Sequence, residues 1–206
     1  MYKKFFKRLF DLLLSVVSLI LLSPIILIVA IIILVFMGRP VFFIQERPGL
    51  NEKPFKIIKF RSMTNHFDNI GKPLNDDLRL TKFGAILRAT SIDELPELIN
   101  ILKGDMSFVG PRPLLTNYLP YYTKSERIRH TVRPGLTGLA QIRGRNHLEW
   151  DERLKLDQEY VNSLSFLSDL KIIFKTLINV IKMKDTHPLS YKVEGNLAEQ
   201  RKNRHV

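Results

Sequence analysis

Residues 12–37 read LLLSVVSLILLSPIILIVAIIILVFM, an uncharged apolar run longer than the ~20 residues that a membrane-spanning helix needs. It is also too long for the apolar core of a secretory signal, and no small-x-small cleavage site follows it. Ser23 and Pro24 stand in its middle. Proline has no N–H to offer the carbonyl four residues back, here that of Ile20, and its ring crowds that carbonyl, so a kink or break is expected there. Each half would then be roughly 18 to 20 Å long, too short to cross ~30 Å of hydrocarbon alone. The flanks carry Lys3, Lys4, Lys7 and Arg8 on one side and Arg39, Arg47, Lys53 and Lys56 on the other. A single span enriches only one side in Lys and Arg. Cations on both sides favour a helix that enters, bends at Ser23-Pro24 and leaves by the same face, over a kinked span.

Working outward, residues 41–60, VFFIQERPGLNEKPFKIIKF, form two β-prone runs about a turn at Pro48-Gly49-Leu50-Asn51, which predicts a small hairpin. Residues 65–80 are polar and read as a surface loop. Helical periodicity returns near 92–103 and again over about 148–183. In the latter, apolar Phe166, Leu170, Ile173, Phe174, Leu177 and Ile181 alternate with Lys171, Lys175, Lys182 and Lys184. Such a helix either lies in the headgroup region or packs on a core with a solvated lysine face. The residues from Asp185 onward are polar. The expected organisation is a membrane helix over 1–40, a main domain over 41–184 and a polar tail over 185–206. With 206 residues and 45% hydrophobic content, the chain can bury one core. The formal net charge of +12 selects for anionic partners such as nucleic acid, lipid headgroups or phosphorylated substrates. With no cysteine, a metal would have to be held by oxygen or nitrogen, and carboxylates favour Mg²⁺.

Three clusters bear on chemistry. In SIDELPE, residues 91–97, Ser91 and Glu94 have capping-box spacing, but a helix with Pro96 in its first turn is easier to build. Asp93 and Glu94 would then lie just ahead of a helix N-terminus, able to hold Mg²⁺ or to supply a nucleophile or base. In KGDMSFVGPRPLL, residues 103–115, Pro111 and Pro113 stiffen the chain on both sides of Arg112. That suits bidentate contact with phosphate, or a turn between packed segments. VRPGLTGLAQIRGR, residues 132–145, joins glycines to Arg133, Arg143 and Arg145, the composition of a pyrophosphate loop or of a basic surface loop. Taken together with the membrane segment, and without a Ser/His/Asp set, the clusters suggest phosphoryl chemistry at a bilayer surface.

RATSIDELPELINILKGDMSFVGPRPLL followed by RPGLTGLAQIRGRN resembles the bacterial sugar transferase family, small monotopic phosphoglycosyl transferases that start glycan assembly on a polyprenyl carrier. The resemblance runs from KRLFD through the Ser-Pro pair to FLSDLKIIFKT. Two departures are Ser168 before Asp169 and Glu97, where relatives often have Gln. The resemblance implies an α+β, mainly helical monotopic protein on the cytoplasmic face of the bacterial inner membrane, with a re-entrant hairpin, a small β-hairpin and amphipathic interfacial helices. It implies transfer of a sugar 1-phosphate from a UDP-sugar to undecaprenyl phosphate, with release of UMP, through a covalent intermediate and with Mg²⁺. Asp93 would be the nucleophile and Glu94 its partner, the two also meeting the metal. Arg112 and Arg145 would contact phosphate or nucleotide, with Lys59, Arg61 and Arg88 as further candidates. The partners implied are the UDP-sugar, undecaprenyl phosphate and the lipid bilayer, with no nucleic acid and with room for a homodimer. Two rival readings are a membrane-bound hydrolase of UDP-sugars and a non-enzymatic protein whose basic surface binds nucleic acid or anionic lipid. The second lacks an aromatic stacking motif.

Overall fold

The computed structural model describes residues 2–65, 68, 71, 74–144, 147–182 and 197–202. After a π-helical turn at Tyr2–Phe6, helix α1 runs over Lys7–Met37 with Pro24 inside it. The break expected at Ser23-Pro24 does not divide the helix into two elements, and the pairing around Pro24 gives the reason. The hydroxyl of Ser23 donates to the Ile20 carbonyl at 2.8 Å, the acceptor that Pro24 leaves without an N–H.

Both ends of α1 dock on the same body. At the start, Lys7 Nζ lies 2.6 Å from Asp169 Oδ2, and Asp11 accepts from Ser107 Oγ and the Phe108 amide, each at 3.0 Å. Arg8 donates to the carbonyls of Ile101 (2.6 Å) and Leu102 (2.9 Å), capping a helix from elsewhere in the chain. Further along, Leu19 and Leu22 pack against buried Ile57, Leu98 and Ile101, while Val29 and Ile33 join Phe60 and Leu87. At the far end, Arg61 donates to the carbonyls of Met37, Gly38 (2.6 Å) and Arg39 (3.1 Å). These are orphan acceptors at a helix C-terminus, where a cation is favoured. The outward face of α1 stays apolar and exposed, with Ile20, Leu21, Leu27 and Phe36 among its residues. By length and composition α1 is the one described helix able to cross a membrane.

The expected hairpin forms from β1 (Phe42–Pro48) and β2 (Pro54–Phe60), antiparallel with Ile44 opposite Ile58 and Arg47 opposite Phe55. Asn51 and Glu52 take positive φ in its turn. Then come the short helix α2 (Asp76–Arg79), α3 (Lys82–Ala89) and α4 (Glu97–Lys103). Buried Asn100 of α4 clamps β2, accepting from the Ile58 amide at 3.0 Å and donating to the Lys56 carbonyl at 2.8 Å. A buried amide with both groups satisfied fixes the register between helix and hairpin.

Strands β3 (Ser107–Val109) and β4 (Gly135–Thr137) form a short parallel pair, and α5 (Leu139–Arg143) follows. The glycines here serve chain crossing. A Cβ on Gly135 would collide with the Gly110 amide nitrogen, and one on Gly138 with the Gly110 carbonyl oxygen. The Gly135 amide donates to the Pro111 carbonyl at 3.0 Å, so it is engaged within the protein.

The periodic stretch at 148–183 divides into α6 (Trp150–Asn162) and α7 (Phe166–Ile181). On α7 one face packs on the core, while the other stays apolar and exposed. Asp169 and Ile172 are buried, whereas Phe166, Leu167, Leu170, Phe174, Leu177 and Ile181 are exposed. Within the tail read as polar, α8 (Leu197–Lys202) is a helix that buries Leu197 beside Tyr118 and Trp150. Its Arg201 pairs with Glu126 at 2.8 Å and Asp151 at 2.7 Å. The described chain is thus mainly helical, with two small sheets.

Candidate active site

The local fold around Asp93 follows from Pro96. A proline cannot sit at the fifth helical position without removing a hydrogen bond, and the chain places it as the N-cap of α4. Ile92–Glu94 instead form a 3₁₀ turn entered through Ser91 in the left-handed region (φ 57°). The Ser91 hydroxyl caps nothing, so the capping-box reading fails. The two acids project from a turn ahead of the helix.

Three further elements supply cations. Lys59 of β2, brought there by the Asn100 clamp, places Nζ 2.7 Å from Glu94 Oε1 and 3.0 Å from Glu97 Oε1. Arg112 donates from Nη2 to the same Glu94 Oε1 at 2.6 Å. Its loop is fixed from behind, because buried Arg129 donates to the Arg112 carbonyl at 2.7 Å and pairs with Asp157 at 2.9 Å. Arg88, at the end of α3, donates to Ser62 Oγ at 2.9 Å, and its charge is felt at Asp93.

The carboxylates are differentiated by these neighbours. Glu94 is held well below the usual range, because Arg112 and Lys59 outweigh the effect of burial, which acts the other way. Asp93 is buried, forms no hydrogen bond with a described residue, and is pushed up to about 6 by burial first and then by the charge of Glu94. Glu97 shares Lys59 with Glu94 yet moves in the opposite direction, up to about 7. Burial dominates there, and outweighs the charges of Lys59 and Arg112, which act the other way. The result is one carboxylate locked as an anion beside another that is desolvated and unengaged. A carboxylate in the second state can act chemically either as a base or as a nucleophile.

Glu97 escaped the sequence reading as a site residue. The signal was its spacing three residues after Glu94 across the proline. Among the positions singled out from the sequence, Asp93, Glu94, Lys59 and Arg112 come together, with Arg88 close enough to act on Asp93. Arg61 does not join them, since its guanidinium faces the end of α1. Arg145 lies outside the described residues. No group of three His, Asp or Glu side chains suited to a metal occurs among the described residues. Two carboxylates nonetheless fit Mg²⁺, which commonly takes one or two from the protein and the rest of its shell from phosphate and water.

The description "Bacterial sugar transferase" matches residues 2–183. A Bacillus subtilis protein named uncharacterized sugar transferase EpsL is 51% identical over 175 residues, covering 85% of this chain and 87% of its own. A UDP-glucose:undecaprenyl-phosphate glucose-1-phosphate transferase of Klebsiella pneumoniae is 43% identical over 182 residues, 84% of this chain but 39% of its own length. Its namesake from Caulobacter vibrioides is 41% identical over 187 residues, 85% of this chain and 69% of its own. With the match spanning nearly the whole chain, this protein belongs to the bacterial sugar transferase family.

Proposed function

We propose that this protein is a phosphoglycosyl transferase that moves a sugar 1-phosphate from a UDP-sugar to undecaprenyl phosphate, releasing UMP, at the cytoplasmic face of the bacterial inner membrane. The observation that carries the reading is the pairing of a desolvated, unengaged Asp93 with a Glu94 locked by Lys59 and Arg112. The names of the Klebsiella and Caulobacter relatives support the lipid acceptor and the sugar-phosphate product.

In the first step an Asp93 oxygen bonds to the phosphorus next to the sugar, and the bond to the bridging oxygen breaks. Lys59 and Arg112 hold Glu94 in place and offset the negative charge that gathers as a carboxylate meets a diphosphate. In the second step a phosphate oxygen of the lipid attacks the same phosphorus and frees Asp93. Asp93 and Glu94 are the residues that would hold Mg²⁺, which would supply charge neutralisation at the phosphoryl oxygens. Re-entry of α1 into the membrane, with both ends on the cytoplasmic side, is supported by the docking of Lys7, Arg8 and Asp11 at one end and Met37 and Gly38 at the other on a single body. The apolar exposed faces of α1 and α7 would lie in lipid, which brings a soluble nucleotide sugar and a lipid phosphate to one site in turn.

A hydrolase with the same carboxylates would give steady UMP release without acceptor, and an exchange experiment separates the two. Labelled UMP added with the UDP-sugar and Mg²⁺, without lipid, should become incorporated into the UDP-sugar, and Asp93→Asn should abolish this. Release of UMP without exchange would favour hydrolysis. The exchange rate should fall about tenfold per pH unit below about 6 and level off above about 7, since only ionised Asp93 attacks. A profile flat from pH 5 to 8 would contradict that role. Reporters fused before Met1 and after Val206 should both read out in the cytoplasm, and a periplasmic signal from either would refute re-entry.

A further inference from the structure

Glu97 opens α4 three residues after Glu94 and is 3% exposed, too deep to meet a substrate itself. Its Oε1 has no hydrogen-bond partner among the described residues, and the cation it faces is Lys59, with Nζ 3.0 Å away. A carboxyl group at such depth is costly unless a partner offsets the loss of water, so Glu97 and Lys59 depend on each other.

Lys59 is held from two acids at once. Its Nζ lies 2.7 Å from Glu94 Oε1 as well as 3.0 Å from Glu97 Oε1, while the Asn100 clamp on Lys56 and Ile58 fixes the strand that carries it. The lysine stem is long and flexible, and an ammonium can turn its three N–H groups toward any acceptor within reach. Asp93 is such an acceptor, since the charge of Lys59 is felt there, yet no hydrogen bond joins the two. With Glu94 and Glu97 each taking one direction, one N–H of Lys59 stays without a partner among the described residues.

We propose that Glu97 is a positioning residue, which by sharing Lys59 with Glu94 keeps the ammonium off Asp93 and its remaining N–H open to the diphosphate. This rests on the transferase reading given above and adds to it a residue that acts only through another. As the Asp93 oxygen bonds to phosphorus, the bond to the bridging oxygen breaks and its electron pair leaves with UMP. The N–H of Lys59 meets the charge on the non-bridging oxygens, and no proton has to move. Without Glu97, Lys59 would be free to close on Asp93, which would tie up the nucleophile and leave the phosphate unmet. What the arrangement needs at this place is an oxygen, so it does not depend on the charge of Glu97. The side-chain amide of glutamine, equal in length, supplies one.

The test uses the full-length protein in lipid nanodiscs with Mg²⁺, and the UDP-sugar that the wild type uses fastest from a panel of UDP-hexoses and UDP-acetamido sugars. Rapid-quench measurement at saturating UDP-sugar should show adduct formation slowed about 10- to 100-fold in Glu97→Met and in Glu97→Leu, neither of which offers an oxygen. The Kd for UDP-sugar should stay within about threefold of wild type in both, because the loss falls on the chemical step. Glu97→Gln should keep its rate within about threefold of wild type. In a Lys59→Met background, itself slow, Glu97→Met should add no more than about a twofold loss, since its effect runs through Lys59. A loss of full size in that background would mark a merely structural role and overturn the proposal. So would a Gln variant as slow as the Met variant. If the wild type itself forms no adduct, the transferase reading falls and this inference falls with it. If the wild type does and Glu97→Met and Glu97→Leu match it, only this inference falls.

Discussion

One carboxylate oxygen, Glu94 Oε1, accepts from Lys59 Nζ at 2.7 Å and from Arg112 Nη2 at 2.6 Å. Lys59 comes from the hairpin, Glu94 from the turn before α4, and Arg112 from the loop after β3. Removing either cation would leave a buried carboxylate under-compensated, and removing the carboxylate would set two cations against each other. The fold can hold so much charge in a small space because each member is fixed independently. Asn100 sets the hairpin against α4, and the Arg129–Asp157 pair holds the backbone of Arg112. What this leaves for chemistry is Asp93, adjacent in the chain, buried, and without a hydrogen bond to any described residue.

The same logic of charged groups holding chain ends governs the membrane helix. Arg8 at the start of α1 caps α4, and Arg61 at the end of the hairpin caps α1. Lys7 and Tyr2 meet Asp169 on the inner face of α7, so the two helices with exposed apolar surfaces share one buried anchor. A catalytic body hung from a lipid-facing helix at one point would rotate freely. Fastened at both ends of α1, it presents its site in a fixed orientation.

The extent to which the sequence foretold this varies with how local the cause is. The position of the dyad ahead of α4 was legible because one missing N–H, that of Pro96, decides it. The hairpin was legible from two β-prone runs about a Pro-Gly turn. Pro24 was read as a break, and only the three-dimensional pairing of Ser23 Oγ with the Ile20 carbonyl accounts for the continuous helix. Arg61 looked like one more phosphate ligand because its acceptors, the end carbonyls of α1, are set by tertiary contact. The glycines at 135 and 138 suggested an anion loop, yet the need that fixes them is close passage by Gly110, a partner distant in sequence.

The central claim is that Asp93 is the atom donor to phosphorus. Intact-protein and peptide mass spectrometry after incubation with Mg²⁺ and a UDP-sugar, with no lipid acceptor, tests it most directly. The account predicts a sugar-phosphate adduct on the peptide that carries Asp93, absent from Asp93→Asn and discharged when undecaprenyl phosphate is added. An adduct on another residue, or sustained turnover of UDP-sugar with the protein never modified, would contradict it.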